Sequence, residues 1–409
     1  MPFNFITKVT SVGSGGLKFT KEILLGLLRA KEKEEYVPRA FSEFMTSLFL
    51  NPNFKVGIIR ELERIFSVPA RKVLEAKYKA ETFVLGENIS SVKRGSLYPI
   101  LEKNWFYPSD IDFSNQQAFI KTYYPEHLVE EKTCYHEKGH YYPKMTVYMN
   151  KEHTSKFLIY YSGGAFLLNH HTIFAQFPNY FKDHNLVFVQ YGLAPEYSYP
   201  QCILDALDAY YIICNNYSPS HISLIGDSAG GHLCLQVAIY IKNHSSVFKK
   251  TPTCLLLLSP WTDMTLKGES VVYNGELDSI KPSFGLHKIR ELYLGFPLKS
   301  NPNRIDLPHI EKDGHFLPLH YLTDDQLSLP IFSPVHHDLD KLPPILIQTG
   351  DLEILYSDNK QLATKLNQVR NDFEWSVFPS QVHMFQSFPT LHTTKASLDQ
   401  CVQFISNKV

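Results

Sequence analysis

The chain has 409 residues, 44% of them hydrophobic, and can bury a large core, which suits one enlarged α/β domain with a lid better than three small ones. Its formal net charge is −1, with no basic stripe to hold nucleic acid and no acidic tail. No stretch reaches the roughly 18–20 apolar residues that span a bilayer.

Residues 1–28 place Lys8, Lys18 and Lys21 before a short apolar run, Ile23-Leu24-Leu25-Gly26-Leu27-Leu28, too brief and interrupted for a signal peptide. An amphipathic segment lying on a membrane surface is the alternative. Ser11-Val12-Gly13-Ser14-Gly15-Gly16 before Lys18 lacks the spacing and the preceding strand of a phosphate loop. The remainder of 1–140 reads as charged, aromatic helical pieces such as 55–66, with no strand–helix alternation. Cys134, Cys202, Cys214, Cys234, Cys254 and Cys401 form no C-x-x-C pair, and three of them sit in apolar runs. Buried free thiols are expected.

From about 142 the pattern changes. Strands are predicted over 145–149, 157–161, 186–191, 222–225, 254–258, 345–348 and 374–378, and helices over 200–215, 231–242, 357–368 and 395–406. This alternation is the mark of a doubly wound, mostly parallel sheet in an α/β protein. Residues 264–330 interrupt it with Pro, Asn and charged side chains. A long insertion over strand tips suits a cap, so 1–140 and 264–330 are both assigned to a lid on a core that otherwise runs 141–409.

Between a predicted strand and a predicted helix lies Gly226-Asp227-Ser228-Ala229-Gly230, a G-x-S-x-G turn. Its small residues allow close strand–helix packing around a strained serine, and the following helix aims free N–H groups at developing negative charge. Ser228 is therefore a candidate nucleophile for acyl transfer. Such a serine needs a base, an orienting acid and oxyanion donors, in the chain order Ser, acid, His. His383, in the loop after the last strand, meets that order. His336 and His337 precede the acid, and His392 lies in the approach to the last helix. Asp351, Glu353 and Asp358 compete as the acid, and spacing does not choose among them. For the oxyanion, Tyr160-Tyr161-Ser162-Gly163-Gly164-Ala165 ends an earlier strand, so the N–H groups of Gly163, Gly164 and Ala229 are the candidate donors.

Five ordered motifs, Ser162-Gly163-Gly164, Tyr191-Gly192-Leu193-Ala194-Pro195-Glu196, Gly226-Asp227-Ser228-Ala229-Gly230-Gly231, Ser259-Pro260-Trp261-Thr262-Asp263 and His383, resemble the hormone-sensitive-lipase family of esterases from about 142 onward. The resemblance implies an α/β-hydrolase fold, a mostly parallel sheet flanked by helices with a helical cap, that cleaves carboxylic esters without metal or cofactor. Carried onto Gly350-Asp351-Leu352-Glu353, the family's Gly-x-x-Glu loop selects Glu353 as the acid, with Asp351 as runner-up. Within the family, the long N-terminal region and the Ser-Gly-Gly-Ala-Phe loop are similar to fungal steryl acetyl hydrolases. That implies deacetylation of a sterol ester at the endoplasmic reticulum, the cytoplasm being the alternative.

The chain departs from the family where Ser162 replaces the usual His of the oxyanion loop, where Ala165 replaces Gly, and where Gly192 removes an Arg. The expected partner is a small apolar ester. An aromatic content of 13% suits a lined cavity as well as an ordinary core. The rivals are an arylformamidase or general short-chain carboxylesterase, and a non-catalytic sterol-binding protein on the same scaffold.

Overall fold

The computed structural model describes residues 60, 72, 74–85, 101–125, 143–280 except 153 and 249, 285–300, 309–369 except 313, 314, 318 and 319, and 372–409. Residues 1–59, the predicted helical piece 55–66 other than Arg60, and Cys134 lie outside them.

Eight strands form one sheet: β1 (Tyr78–Val84), β2 (Lys144–Asn150), β3 (Lys156–Tyr161), β4 (Asn185–Gln190), β5 (His221–Asp227), β6 (Cys254–Leu258), β7 (Ile345–Gly350) and β8 (Phe373–Phe378). Their spatial order is β1-β2-β4-β3-β5-β6-β7-β8. From β4 to β8 every pairing is parallel, while β2 runs antiparallel to both β1 and β4. The central strands are buried along their whole length, for example Cys-Leu-Leu-Leu-Leu in β6, as a parallel sheet covered on both faces requires.

The period of two divides that apolar surface between two cores. Phe157, Ile159 and Tyr161 of β3, Leu255 and Leu257 of β6, and Ile345 and Ile347 of β7 face the larger core. That core also takes side chains from α2 (Gln201–Tyr217), α3 (Ala229–Asn243) and α6 (Tyr356–Val369). Leu158 and Tyr160, Leu256 and Leu258, and Leu346 face the other, closed by Phe174, Phe177, Phe181 and by Leu398, Cys401 and Phe404 of α7 (His392–Ser406). Helix α3 is buried from Ala229 through Ile241, and such an all-round apolar helix belongs inside a protein. Cys202, Cys214, Cys234, Cys254 and Cys401 are free and buried.

The predicted core elements all occur, with ends shifted by a few residues. The sequence reading gives β1 no strand, because its exposed middle, Lys79-Ala80-Glu81-Thr82, lacks alternating apolar positions. It closes one edge of the sheet, where charged side chains discourage further pairing. Residues 78–84 therefore belong to the sheet although they fall in the region read as lid.

Helix α1 (Gln116–Tyr123) rests on the insertion: Gln116 Nε2 donates to Leu294 O at 2.6 Å, and the Tyr124 hydroxyl donates to Glu291 Oε2 at 2.5 Å. The insertion itself folds into α4 (Glu269–Tyr273), α5 (Leu286–Leu294) and a short antiparallel ribbon of Ile310–Lys312 with His315–Leu317. On and just after α4, Val272, Tyr273 and Leu277 are exposed.

Candidate active site

Strand register brings the predicted site residues to one edge of the sheet. Tyr161 pairs with Gly226, Asp227 with Leu258, Leu258 with Gln348, and Gly350 with Phe378, so β3, β5, β6, β7 and β8 end together. In open α/β sheets this carboxyl edge is where ligands bind.

Ser228 joins β5 to α3 with φ 52° and ψ −117°, a conformation that costs a non-glycine residue about 1–3 kcal/mol. The neighbouring chain holds it there: its N–H donates to Leu258 O at 2.9 Å, and its carbonyl accepts the Trp261 N–H at 3.0 Å. Gly230 is obligatory for a different reason. A Cβ at that position would lie 1.8 Å from the Tyr161 carbonyl oxygen, so only glycine lets the elbow meet the end of β3.

Of the three candidate acids, Glu353 is the one that lies beside His383. Glu353 Oε2 lies 3.4 Å from His383 Nδ1, both side chains being buried. Its other oxygen accepts the Ser259 hydroxyl at 2.6 Å and the Gly350 N–H at 2.5 Å, which fixes the carboxylate. Asp358 is buried beside Asp263 instead; burial first, then the Asp263 charge, raises its pKa well above the ordinary range. Among the other histidines, His336 faces Asp263 and His337 stacks on Trp105. Burial alone would lower the pKa of His383, but the hydrogen bond and charge of Glu353, with Asp278 and Asp227, outweigh it and hold the imidazole above its usual value. Burial raises Glu353, against the pull of His383. The Nε2 of His383 is buried without a hydrogen-bond partner among the described residues, so its side chain is not hydrogen-bonded to the Ser228 hydroxyl.

The glycine loop is braced from beneath by Asp227. Its Oδ1 accepts the Tyr160 hydroxyl at 2.6 Å and the Gly163 N–H at 3.0 Å, and its Oδ2 lies 3.1 Å from His170 Nε2. Burial would raise its pKa, but His170, then Tyr160 and Gly163, hold it below the usual carboxylate range. Of the three expected oxyanion donors, Gly163 thus has its N–H already engaged. Its lack of a side chain also makes room for Asp227, since a Cβ would come within 2.2 Å of Oδ2. The next three residues, Gly164, Ala165 and Phe166, all have positive φ, of 108°, 55° and 62°. The loop then folds back on itself, Leu167 and Leu168 both donating to Gly164 O.

A strained serine elbow, a buried Glu–His pair and a glycine loop at one sheet edge coincide with a sequence match to the α/β-hydrolase fold family model over residues 158–387. The chain belongs to this family. Among curated relatives, this α/β-hydrolase is similar to an esterase from Acinetobacter venetianus, with 32% identity over 50% of this chain and 57% of that protein. It is also similar to esterase LipU of Mycobacterium tuberculosis, with 27% identity over 57% and 71%, and to an acetyl-hydrolase of Streptomyces hygroscopicus, with 23% over 53% and 63%. The chain spans less than two thirds of the first and third of these relatives. A solved esterase from the bacterial hormone-sensitive lipase family superposes with a TM-score of 0.53 at 25% identity, over 65% of this chain and 81% of that one.

Where this α/β-hydrolase departs from the expected motifs, other residues fill in. Ser162 Oγ accepts the His170 N–H at 2.8 Å, and the Tyr191 hydroxyl donates to Ser162 O at 2.6 Å, so the loop is tied down without a histidine at 162. Gly192 lacks a guanidinium, yet Arg60 supplies one to the same turn. It pairs with Glu196 at 2.9 Å and donates to Ala194 O at 2.6 Å and Leu167 O at 2.9 Å. Phe166 stacks on Tyr293 of the insertion with centroids 3.8 Å apart, beside Trp261 and His232. Sequence reasoning missed Arg60, His170 and Asp278 as site residues. The first two lie outside the quoted motifs, and Asp278 is one acid among many in an unpatterned insertion.

Proposed function

We propose that the chain is a serine hydrolase of carboxylic esters, with Ser228 as nucleophile, His383 as base and Glu353 as the acid that orients it. The observation that carries this is the buried Glu353–His383 contact at the sheet edge where the strained Ser228 stands. Ser228 Oγ attacks the acyl carbon as Nε2 takes its proton, forming a tetrahedral oxyanion. Collapse breaks the ester C–O bond, and His383 returns the proton to the leaving alcohol. Water, deprotonated by the same imidazole, then attacks the acyl-enzyme and releases the acid. The N–H of Ala229, first in α3, and the N–H groups of Gly164 and Ala165 are the proposed oxyanion donors. Gly163 sets the loop instead of donating.

For the substrate we propose a small acyl group on a bulky apolar alcohol, a sterol acetate being the fitting case. The Phe166–Tyr293 stack, which follows the glycine loop, is the proposed limit on the length of the acyl chain. The N-terminal region and the 264–330 insertion, joined through Gln116 and Tyr124, form the proposed lid over the alcohol. The same reading puts the enzyme at the endoplasmic reticulum membrane, with attachment through the N-terminal region. No helix among the described residues is long and apolar enough to cross a bilayer, and flotation of the full chain with vesicles tests surface attachment.

The deciding experiment is a hydrolysis panel of sterol acetate, short aryl acetates, long-chain glycerides and formylated amines, run on the full chain and on Ser228→Ala. Ester hydrolysis that survives Ser228→Ala would sink the mechanism. Preference for the formylated amines would favour an arylformamidase, and no turnover with no fluorophosphonate labelling of Ser228 would favour a binding protein.

A further inference from the structure

The insertion reaches under both loops that carry the proposed acid and base. Ser270 Oγ donates to Ile354 O at 2.5 Å and accepts the Ser357 N–H at 2.9 Å. Asn274 Nδ2 donates to Glu353 O at 2.8 Å and to Asp351 O at 3.0 Å. Asp278, 1% exposed, joins the two loops: its Oδ2 accepts the Ile354 N–H at 2.7 Å, and its Oδ1 accepts the N–H of His383 itself at 2.8 Å. The Ser279 N–H donates to the same Oδ1 at 2.5 Å, and the Ser279 hydroxyl donates to His383 O at 3.2 Å.

We propose that Asp278 is a positioning residue for ester hydrolysis, a carboxylate in the insertion that sets the distance between the Glu353 loop and His383. The inference rests on the serine-hydrolase reading above. One carboxylate bridges the residue after the acid and the base, so moving it moves both members of the pair. Only an anion suits the place, because N–H donors approach both of its oxygens. An asparagine would turn its own NH2 toward one of those N–H groups. The energetic reason to bury a carboxylate here is orientation. A base displaced by about 1 Å can cost on the order of 10²-fold in rate, whereas the substrate, held by other groups, keeps its affinity.

Asp278 also faces the imidazole as a charge. The charged groups around His383 are Glu353 from the acid loop, Asp278 from the insertion and Asp227 from the elbow, all acidic. Removing one of them lowers the imidazole pKa, so the base stays neutral to lower pH.

The test compares wild type with Asp278→Asn and Asp278→Glu in short aryl acetate hydrolysis, with active sites counted by fluorophosphonate labelling. For Asp278→Asn, kcat per labelled site is expected to fall about 10²-fold, KM to change less than about twofold, and the acidic limb of kcat/KM to move to lower pH. Asp278→Glu, which keeps the charge, is expected to restore the limb and part of kcat. Unchanged kcat per site, or a loss explained wholly by fewer labelled sites, overturns the proposal. If Asp278→Asn does not fold, the Asn274→Ala, Ser279→Ala pair carries the test: it removes tethers on the same two loops and leaves the carboxylate in place. A kcat loss of about tenfold at constant KM is expected, and no loss is the contrary result. A wild type that neither hydrolyses esters nor labels at Ser228 refutes the serine-hydrolase reading instead.

Discussion

The hydroxyl of Ser162 accepts the backbone N–H of His170 at 2.8 Å, and the ring of that histidine reaches Asp227, which in turn holds the Gly163 N–H. This closed circuit ties down the glycine loop with Ser162 at its head. His170→Ala should loosen the loop and lower kcat on short aryl acetates by about 10–10²-fold with KM nearly constant, because misplaced oxyanion donors weaken the transition state more than the ground state. Steady-state kinetics check this, and equal loss in Ser228→Ala and in the double variant would confirm that both act on one step.

Replacing the nucleophile is the severest change expected. Ser228→Ala should lower kcat on the order of 10⁶-fold and abolish fluorophosphonate labelling, while thermal stability rises or holds because alanine removes no buried hydrogen bond of the serine side chain. Mass spectrometry of the labelled peptide locates the adduct.

The raised pKa of His383 fixes the pH response. His383 accepts a proton only when neutral, so activity should fall as pH drops through a midpoint above the ordinary 6.5. Glu353→Gln removes the carboxylate that raises it. The midpoint should then move to lower pH, and kcat should fall up to about 10⁴-fold as the imidazole loses its fixed tautomer. A midpoint that stays put would assign the orienting role elsewhere.

Arg60 binds two turns near the site. Arg60→Ala removes the donors to the carbonyls of Leu167 and Ala194 and the ion pair with Glu196. The cost should be roughly 3 kcal/mol, the low end for a broken buried pair because Glu196 keeps some exposure. Denaturant unfolding measures the loss, and a double-mutant cycle with Glu196→Gln isolates the ion pair.

The legible parts of the chain were those that obey a period. β6 falls on the predicted residues 254–258 because five consecutive apolar residues between turns admit little else, and α3 was marked by the elbow ahead of it. Neither β1 nor the bracing of the site could be seen in this way. β1 exposes Lys79 to Thr82 and owes its strand state to pairing with β2, a contact across sixty or more positions. Arg60, His170 and Asp278 act through hydrogen bonds to groups remote in the chain, which leave no repeating trace in composition. Gly163 was read as an oxyanion donor, yet the direction of its N–H depends on Asp227, and no spacing rule encodes a peptide plane.

Helix α3 is buried from Ala229 to Ile241, with the serine at its tip. The proposed nucleophile is therefore mounted on a buried helix, where almost any side-chain exchange disturbs close packing. A lineage that acquires new esters has little room to alter that axle. Its freedom lies in the polar clasps and aromatic panels added around it, which can be exchanged without unseating the chemistry.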